Sequence, residues 1–203
     1  MDIRKIKKTD VPFISALHMK MLPTSIARIG NPYLSELYDT LLKDIGLVAI
    51  DHGSIVGVIT ATANLKKTHQ NVKCLLYHPS TLWTIGKAIV LRRVTIGSLF
   101  ERMAAQAEIL SLFPDPYATI LTFFVDKKNQ HQGIGTKLLS SLEKQFPVGT
   151  KLYVDTATSN TNAQQWYKFH GFRSIKTIRN TIVLYLSTQK RDLFLHREHT
   201  SLA

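Results

Sequence analysis

The sequence is short of cysteine, of acids and of uninterrupted apolar runs. Its one cysteine, Cys74, excludes an internal disulfide framework. Flanked by Leu75 and Leu76, that thiol is expected to be a buried apolar group rather than a nucleophile. No Asn-x-Ser/Thr glycosylation acceptor occurs, and no charged-then-apolar opening resembles a signal peptide. The most apolar stretch, "TLWTIGKAIVLRRVTIGSLF", is broken by Lys87, Arg92 and Arg93 before it could span a bilayer. These absences predict a soluble cytoplasmic protein. His196 and His199 stand close together in a polar tail with no further ligand cluster, so no metal site is expected.

What is abundant is positive charge: 26 Lys and Arg against 14 Asp and Glu leave a net +12. Such an excess concentrates anions near the surface, whether nucleic acid, acidic lipid or phosphorylated small molecules, without choosing among them. A chain of 203 residues that is 44% hydrophobic suits one domain with a real core and one insertion.

Along the chain, "MDIRKIKKTD" alternates Ile3 and Ile6 with basic residues and predicts a strand, ending at Thr9-Asp10 as a cap for a helix over "VPFISALHMKM". After the turn "LPTSIARIGNP", the stretch "YLSELYDTLLKD" places Leu34, Leu37, Tyr38, Leu41 and Leu42 on one helical face. "GLVAIDHGSIVGVITATAN" reads as a hairpin turning at Asp51-His52-Gly53. From Leu65 to about Tyr117 the composition changes to one broken or two consecutive amphipathic helices, closed by Pro114 and Pro116. Then come a strand over "YATILTFFVD", a helix over "GIGTKLLSSLEKQF", a strand over "KLYVDTAT", a helix over "SNTNAQQWYKFHG", and two strands turning near Arg179-Asn180. We therefore expect one domain over 1–189 with a helical insertion at 65–117, and a basic polar tail over 190–203.

The segment "DKKNQHQGIGTKLL" spends two glycines where a helix begins. It is not a dinucleotide fingerprint, because Leu138 occupies the third glycine position. Nor is it a P-loop, because the order is Gly135-Thr136-Lys137. What remains is strand, polar turn, Gly-x-Gly and helix N-terminus, where free N–H groups and the positive end of the helix dipole suit a phosphate. Glycine at both positions would let an anion approach the backbone; the plainer alternative is a tight turn at a helix start.

"VDKKNQHQGIGTKLL" resembles the acetyl-CoA-binding motif of the GNAT superfamily of N-acyltransferases, Arg/Gln-x-x-Gly-x-Gly/Ala, here Gln130-His131-Gln132-Gly133-Ile134-Gly135. "NTNAQQWYKFHGF" is similar to the family's second pattern, with Asn160, Ala163, Tyr167, Gly171 and Phe172 in place. The resemblance implies an α/β fold: a mixed, mostly antiparallel central sheet with helices on both faces, split open at the strand carrying Phe124, and a helical insertion before the CoA-binding strand. It implies acetyl-CoA as co-substrate, no metal, an amine acceptor, and room for a homodimer. Phe123, Phe124 and Val125 would present main-chain groups to the pantetheine arm and acetyl group. The amides of Gln130, His131, Gln132, Gly133, Ile134, Gly135 and Thr136 would hold the pyrophosphate. Asn160 would bond the pantetheine arm. Tyr167, seven residues on and so on the same helical face, would lie near the thioester sulfur as the catalytic acid.

Two departures stand out. The strand "TILTFFV" lacks the glutamate that many family members use as a water-mediated base, which leaves Glu36, Asp39 and Asp155 as positional candidates beside the plainer reading of solvated carboxylates. His131 stands where glycine is common. His170, before Gly171, is expected to cap a helix end. The basic insertion, with Lys66, Lys67, Lys73, Lys87, Arg92, Arg93 and Arg102, could wall an acceptor such as an amino-sugar nucleotide, or simply pack one face with its charges in solvent. Three function classes follow: a small-molecule N-acetyltransferase, a protein or peptide N-acetyltransferase, and a nucleic-acid-binding or interaction module. The last is disfavoured because no helix-turn-helix or aromatic-interleaved basic motif accompanies the charge.

Overall fold

Residues 1–22, 25–91, 97, 108–109 and 117–188 are described by the computed structural model. Alternating side chains in the opening and in the predicted hairpin form β1 (Asp2–Lys5), β2 (Ile45–Asp51) and β3 (Ser54–Thr62). The β2–β3 loop is His52-Gly53, with φ of 46° and 75°, the double positive-φ turn whose twist matches its strands. Between β1 and β2 lie α1 (Val11–Met21), α2 (Ser25–Ile29) and α3 (Asn31–Leu41). α2 falls within the segment expected to be a turn, and its five residues are too few to show an apolar period. α3 buries Leu34, Leu37, Tyr38 and Leu41, the face its spacing predicts.

The insertion begins with α4 (Leu65–Leu76) and α5 (Pro79–Val90). Most of the rest of it, including Pro114 and Pro116, and the tail with His196 and His199 lie outside the described residues. Cys74 is exposed on α4, contrary to the expected burial. Successive residues on a helix are turned by about 100°, so a thiol beside a half-buried Leu75 can still face out. The chain continues through β4 (Tyr117–Val125), α6 (Ile134–Glu143), β5 (Lys151–Ala157), α7 (Thr161–Phe169), β6 (Arg173–Ile178) and β7 (Thr181–Ser187).

The described strands make one seven-stranded sheet, order β1-β2-β3-β4-β5-β7-β6, antiparallel throughout except for β4 with β5. Consecutive residues go to opposite faces: Val48 and Val58 pack with Phe124 under α1 and α3, while Leu47, Ala49 and Ile59 pack under α6 with Leu138, Leu142 and Tyr167.

Asp10 does not cap α1 with its side chain. Its carboxylate instead takes a forked pair of bonds from Arg4, at 2.6 and 2.9 Å, and the Lys7 N–H at 2.7 Å, which pins β1 to the start of α1. The Arg4 bonds hold this carboxyl below the ordinary aspartate range, against the opposing effect of burial. A lowered folded-state value means the stabilisation is complete above the unfolded value of about 3.9 and is lost as pH falls below it. Asp10→Asn is expected to lower unfolding free energy by about 1–3 kcal/mol at pH 7, with the gap from wild type closing in acid, measured by urea denaturation.

Candidate active site

The site begins with one extra residue in β4. The β3–β4 register runs from Gly57↔Val125 to Thr60↔Thr122 and then shifts to Ala61↔Ile120, leaving Leu121 as a bulge. Parallel pairing of β4 with β5 ends at Ile120↔Val154, although β4 runs on to Val125 and β5 to Ala157. A bulge bends its strand and sharpens the local twist, so beyond Ile120 the strands part and β4 presents an unpaired edge. The Asp126 N–H donates to the Val56 carbonyl at 2.8 Å, which fixes the alternation upstream. Main-chain groups of Phe123 and Val125 point into the opening, whereas those of Phe124 point at β3. The expected trio is thus divided by the pleat. Phe124 instead buries its ring 5.4 Å from that of His18 on the α1 side.

After β4, a single 3-10 turn at Lys127–Asn129 leads to α6. Asp126 pairs with Lys20 of α1 at 3.0 Å, which anchors the loop. The Gln130 side chain donates to the Val125 carbonyl at 3.0 Å, and its amide bonds Lys127 O at 3.4 Å within the turn. Gln132 donates from its side chain to Lys128 O at 3.4 Å. His131 and Gly133 have φ of 62° and 74°. The left-handed value at His131 is one that glycine adopts without cost, which accounts for the glycine common there in the resembling motif. The first bond of α6 runs from the Lys137 N–H to Gly133 O at 3.0 Å, so the amides of Gly133, Ile134, Gly135 and Thr136 precede the helix ladder. Among the described residues, no side chain caps them.

The two glycines differ. Among the described residues, a Cβ built on Gly133 meets nothing within 4 Å, so the space beside this first uncapped amide is open. One on Gly135 would lie 3.3 Å from Trp166 Cζ2 and 3.5 Å from Phe123 Cζ. Gly135 therefore lets α6 close on the Trp166 ring, which corrects the expectation that both glycines clear a path for an anion. Ile134 is buried in the core, and the Thr136 hydroxyl meets His170 Nε2 at 2.8 Å.

Tyr167 lies on the same side of the sheet. It is 6% exposed, with its ring 5.1 Å from Phe172, 5.5 Å from Trp166 and 6.3 Å from Phe123. Burial, reinforced by the nearby charge of Asp155, raises the phenol far above its ordinary value, so it keeps its proton. Asn160 sits at the other end of α7 as its N-cap, accepting from the Ala163 N–H at 3.3 Å and donating to Thr156 Oγ1 at 3.4 Å. It is exposed where Tyr167 is buried, so the two mark opposite ends of α7 rather than one uniform face.

A sequence model of the acetyltransferase (GNAT) family matches residues 17–172. The chain belongs to this family. Solved structures share its fold: an N-acetyltransferase from Staphylococcus aureus Mu50 superposes with a TM-score of 0.63 at 20% identity, covering 92% of this chain and 100% of that one. The ribosomal-protein-S18-alanine N-acetyltransferase from Escherichia coli gives 0.55 at 15% identity over 95% and 98%. Arabidopsis thaliana NAA60 in complex with acetyl-CoA gives 0.56 at 17% identity over 92% and 97%. A search of curated proteins finds no match. Membership of the GNAT family makes this chain an N-acetyltransferase that uses acetyl-CoA. Among the described residues, no helix is long and apolar enough to cross a membrane.

The second GNAT pattern has a structural cause visible here. The Gly171 N–H donates to Lys168 O and the Phe172 N–H to Tyr167 O, both at 3.0 Å, with Gly171 at φ 88°. This is a Schellman stop, completed by the Tyr167–Phe172 ring contact, so the spacing Tyr-x-x-x-Gly-Phe ends a helix as well as placing a tyrosine. His170 closes the same end: Nδ1 donates to the Trp166 carbonyl at 2.8 Å, and the ring stacks on Trp166 at 3.7 Å. Gly171→Ala forces a methyl into the left-handed region and is expected to lower stability by about 1–2 kcal/mol, read as a shifted urea midpoint at constant slope.

Of the carboxylates considered as bases, Glu36 accepts from the Thr81 hydroxyl at 2.6 Å, tying α3 to α5, and Asp39 is exposed. Asp155 is half-buried within electrostatic reach of Tyr167. Sequence reasoning missed His18, which the fold pairs with Tyr38 at 2.7 Å, and Thr60 and Thr122, whose hydroxyls meet at 2.8 Å. Only the bulge puts Thr122 on the same face as its neighbour Leu121, and no residue type in the sequence announces a bulge there.

Proposed function

We propose that this GNAT enzyme transfers the acetyl group of acetyl-CoA to a primary amine on a small molecule, with amino-sugar nucleotides as the leading class, by direct attack on the thioester. The observation that carries the reading is the juxtaposition of four uncapped amides, Gly133 to Thr136, with the unpaired edge of β4. In this reading those amides, with His131 and Gln132 before them, receive the pyrophosphate, and Gln130 holds the loop to the strand. Main-chain groups of Phe123 and Val125 orient the pantetheine arm and polarise the thioester carbonyl. Asn160 is set to receive the arm at the mouth, and Tyr167 protonates the leaving thiolate. Residues 1–189 would form one catalytic unit. The exposed Lys66, Lys67, Lys73 and Lys87 on α4 and α5 favour a phosphorylated acceptor over a basic one.

A peptide N-terminus is the second reading, favoured by the likeness in fold to the S18-alanine enzyme. The test is calorimetric titration of acetyl-CoA and CoA, followed by a thiol-release screen of amino sugars, their nucleotides and short peptides. Saturable acetyl-CoA binding and turnover with an amino-sugar nucleotide are expected. Turnover confined to peptides would move the enzyme to the second class, and a folded protein that fails to bind acetyl-CoA would overturn both.

A further inference from the structure

α4 and α5 pack on α3 and on each other, and α5 turns its chemistry the wrong way round for a helix facing water. Its inner face carries a hydroxyl: Thr81 is 1% exposed and donates to Glu36 at 2.6 Å, while Ala88 packs with Ile29 and Tyr33. Its outer stripe is Pro79, Trp83, Gly86 and Val90, spaced i, i+4, i+7 and i+11, with Leu82 on the flank. Trp83 is 77% exposed and Val90 80%; Leu91 follows them, half in water, and Tyr77 stands 79% exposed where α4 ends. Among the described residues, nothing lies within 4 Å of a Cβ built on Gly86, so the stripe is open at its middle as well. Single exposed apolar residues are ordinary, but a helix face made of them marks a surface that meets something.

The charge around this stripe has one sign. Residues 65–91 contain four lysines, two histidines and no Asp or Glu. On α4, Lys66, Gln70 and Lys73 form the exposed row that Tyr77 continues, with Lys67 beside it, and Lys87 is exposed on α5 next to the Trp83 stripe. Carboxylates do reach these helices, but from the inside: Glu36 at the buried Thr81, and Asp44 at the buried Thr68, 3.0 Å away.

We propose that the outer faces of α4 and α5 dock on an anionic lipid bilayer, lying in its headgroup layer. Among the described residues no helix is long and apolar enough to cross one. A bilayer surface supplies what this face asks for: acyl chains for Leu82, Val90 and Leu91, a boundary at which Trp and Tyr rings settle, and phosphates for the lysines. Nucleic acid offers the phosphates without an apolar phase. A second copy of the chain offers apolar area, but a two-fold interface sets a face against itself, and residues 65–91 hold no acid to pair with the opposing lysines. The inference goes beyond the acetyltransferase reading and does not rest on it.

The test is flotation of the full-length protein with vesicles of phosphatidylcholine alone, and of phosphatidylcholine with roughly a third phosphatidylglycerol. Wild type should partition at least about 10-fold more strongly to the anionic vesicles, and less so in high salt. Any basic protein could meet that criterion, so the deciding variants change apolar groups only. Trp83→Ser combined with Val90→Ser should lose at least about 10-fold in partition, and Val148→Ser, a 69% exposed valine in the loop before β5, less than about twofold. Tryptophan emission should shift to the blue on vesicle addition in wild type and not in Trp83→Phe, which keeps the apolar bulk. An unchanged urea midpoint shows that each variant is folded. No vesicle binding, equal binding to both compositions, or a double variant that binds as well as wild type would overturn the proposal. A dimer in light scattering that the double variant dissociates, with no vesicle binding, would give the face to a second copy. DNA binding lost in that variant while vesicle binding persists would give it to nucleic acid.

Discussion

Gly133→Glu is expected to weaken acetyl-CoA binding by at least about 100-fold, while Gly133→Ala weakens it by less than about 10-fold. Both variants place an L-residue at φ 74°, and that strain of about 1–2 kcal/mol falls on free and bound protein alike. Among the described residues, the Cβ of either variant meets no neighbour within 4 Å. Only glutamate adds charge, beside four amides whose dipoles favour an anion. Two unit charges about 4 Å apart at an effective dielectric of about 20 repel by about 4 kcal/mol, more than the roughly 2.7 kcal/mol that a 100-fold loss represents. Calorimetric titration of both variants checks this. Comparable losses for alanine and glutamate would mean that loop geometry, not charge, sets affinity.

Tyr167→Phe should lower kcat by on the order of 10²-fold and leave the KM for acetyl-CoA within about threefold. The ring packing with Phe123, Trp166 and Phe172 does not need the hydroxyl, so the binding surface survives. On the proposed mechanism the variant lacks the proton delivered to the departing sulfur, a contribution of about 10²–10⁴-fold for a positioned acid. Because burial raises the phenol well above its free value of about 10, the Tyr167 hydroxyl stays protonated through that range, and kcat should show no descending limb near pH 10 from this group. Steady-state kinetics across pH read both effects. A KM that rises with kcat unchanged would make Tyr167 a packing residue only.

Much of the architecture was legible because it is written in local periods. The α3 stripe of Leu34, Leu37, Tyr38 and Leu41, the His52-Gly53 turn and the strand-turn-helix around Gly133 each depend on residues within a few positions of one another. α2 escaped because five residues cannot display a period, and Cys74 was misplaced because sequence neighbours on a helix do not share a face.

The site was legible in part, and the boundary is physical. Gly133 could be read locally, as a left-handed helix start. Gly135 could not, because its requirement comes from Trp166, brought against it from the next helix. Nor could the division of labour among Phe123, Phe124 and Val125, which the β3–β4 pairing decides by directing alternate main-chain groups. The bulge at Leu121, which sets Thr122 opposite Thr60 with their hydroxyls 2.8 Å apart, leaves no local signature either. The sequence by itself determined the elements, their order and the family motifs, because hydrophobic period and turn chemistry act between near neighbours. The tertiary structure alone decided which side chains and main-chain edges meet at the opening, because register and helix packing are set by contacts between residues far apart in the chain.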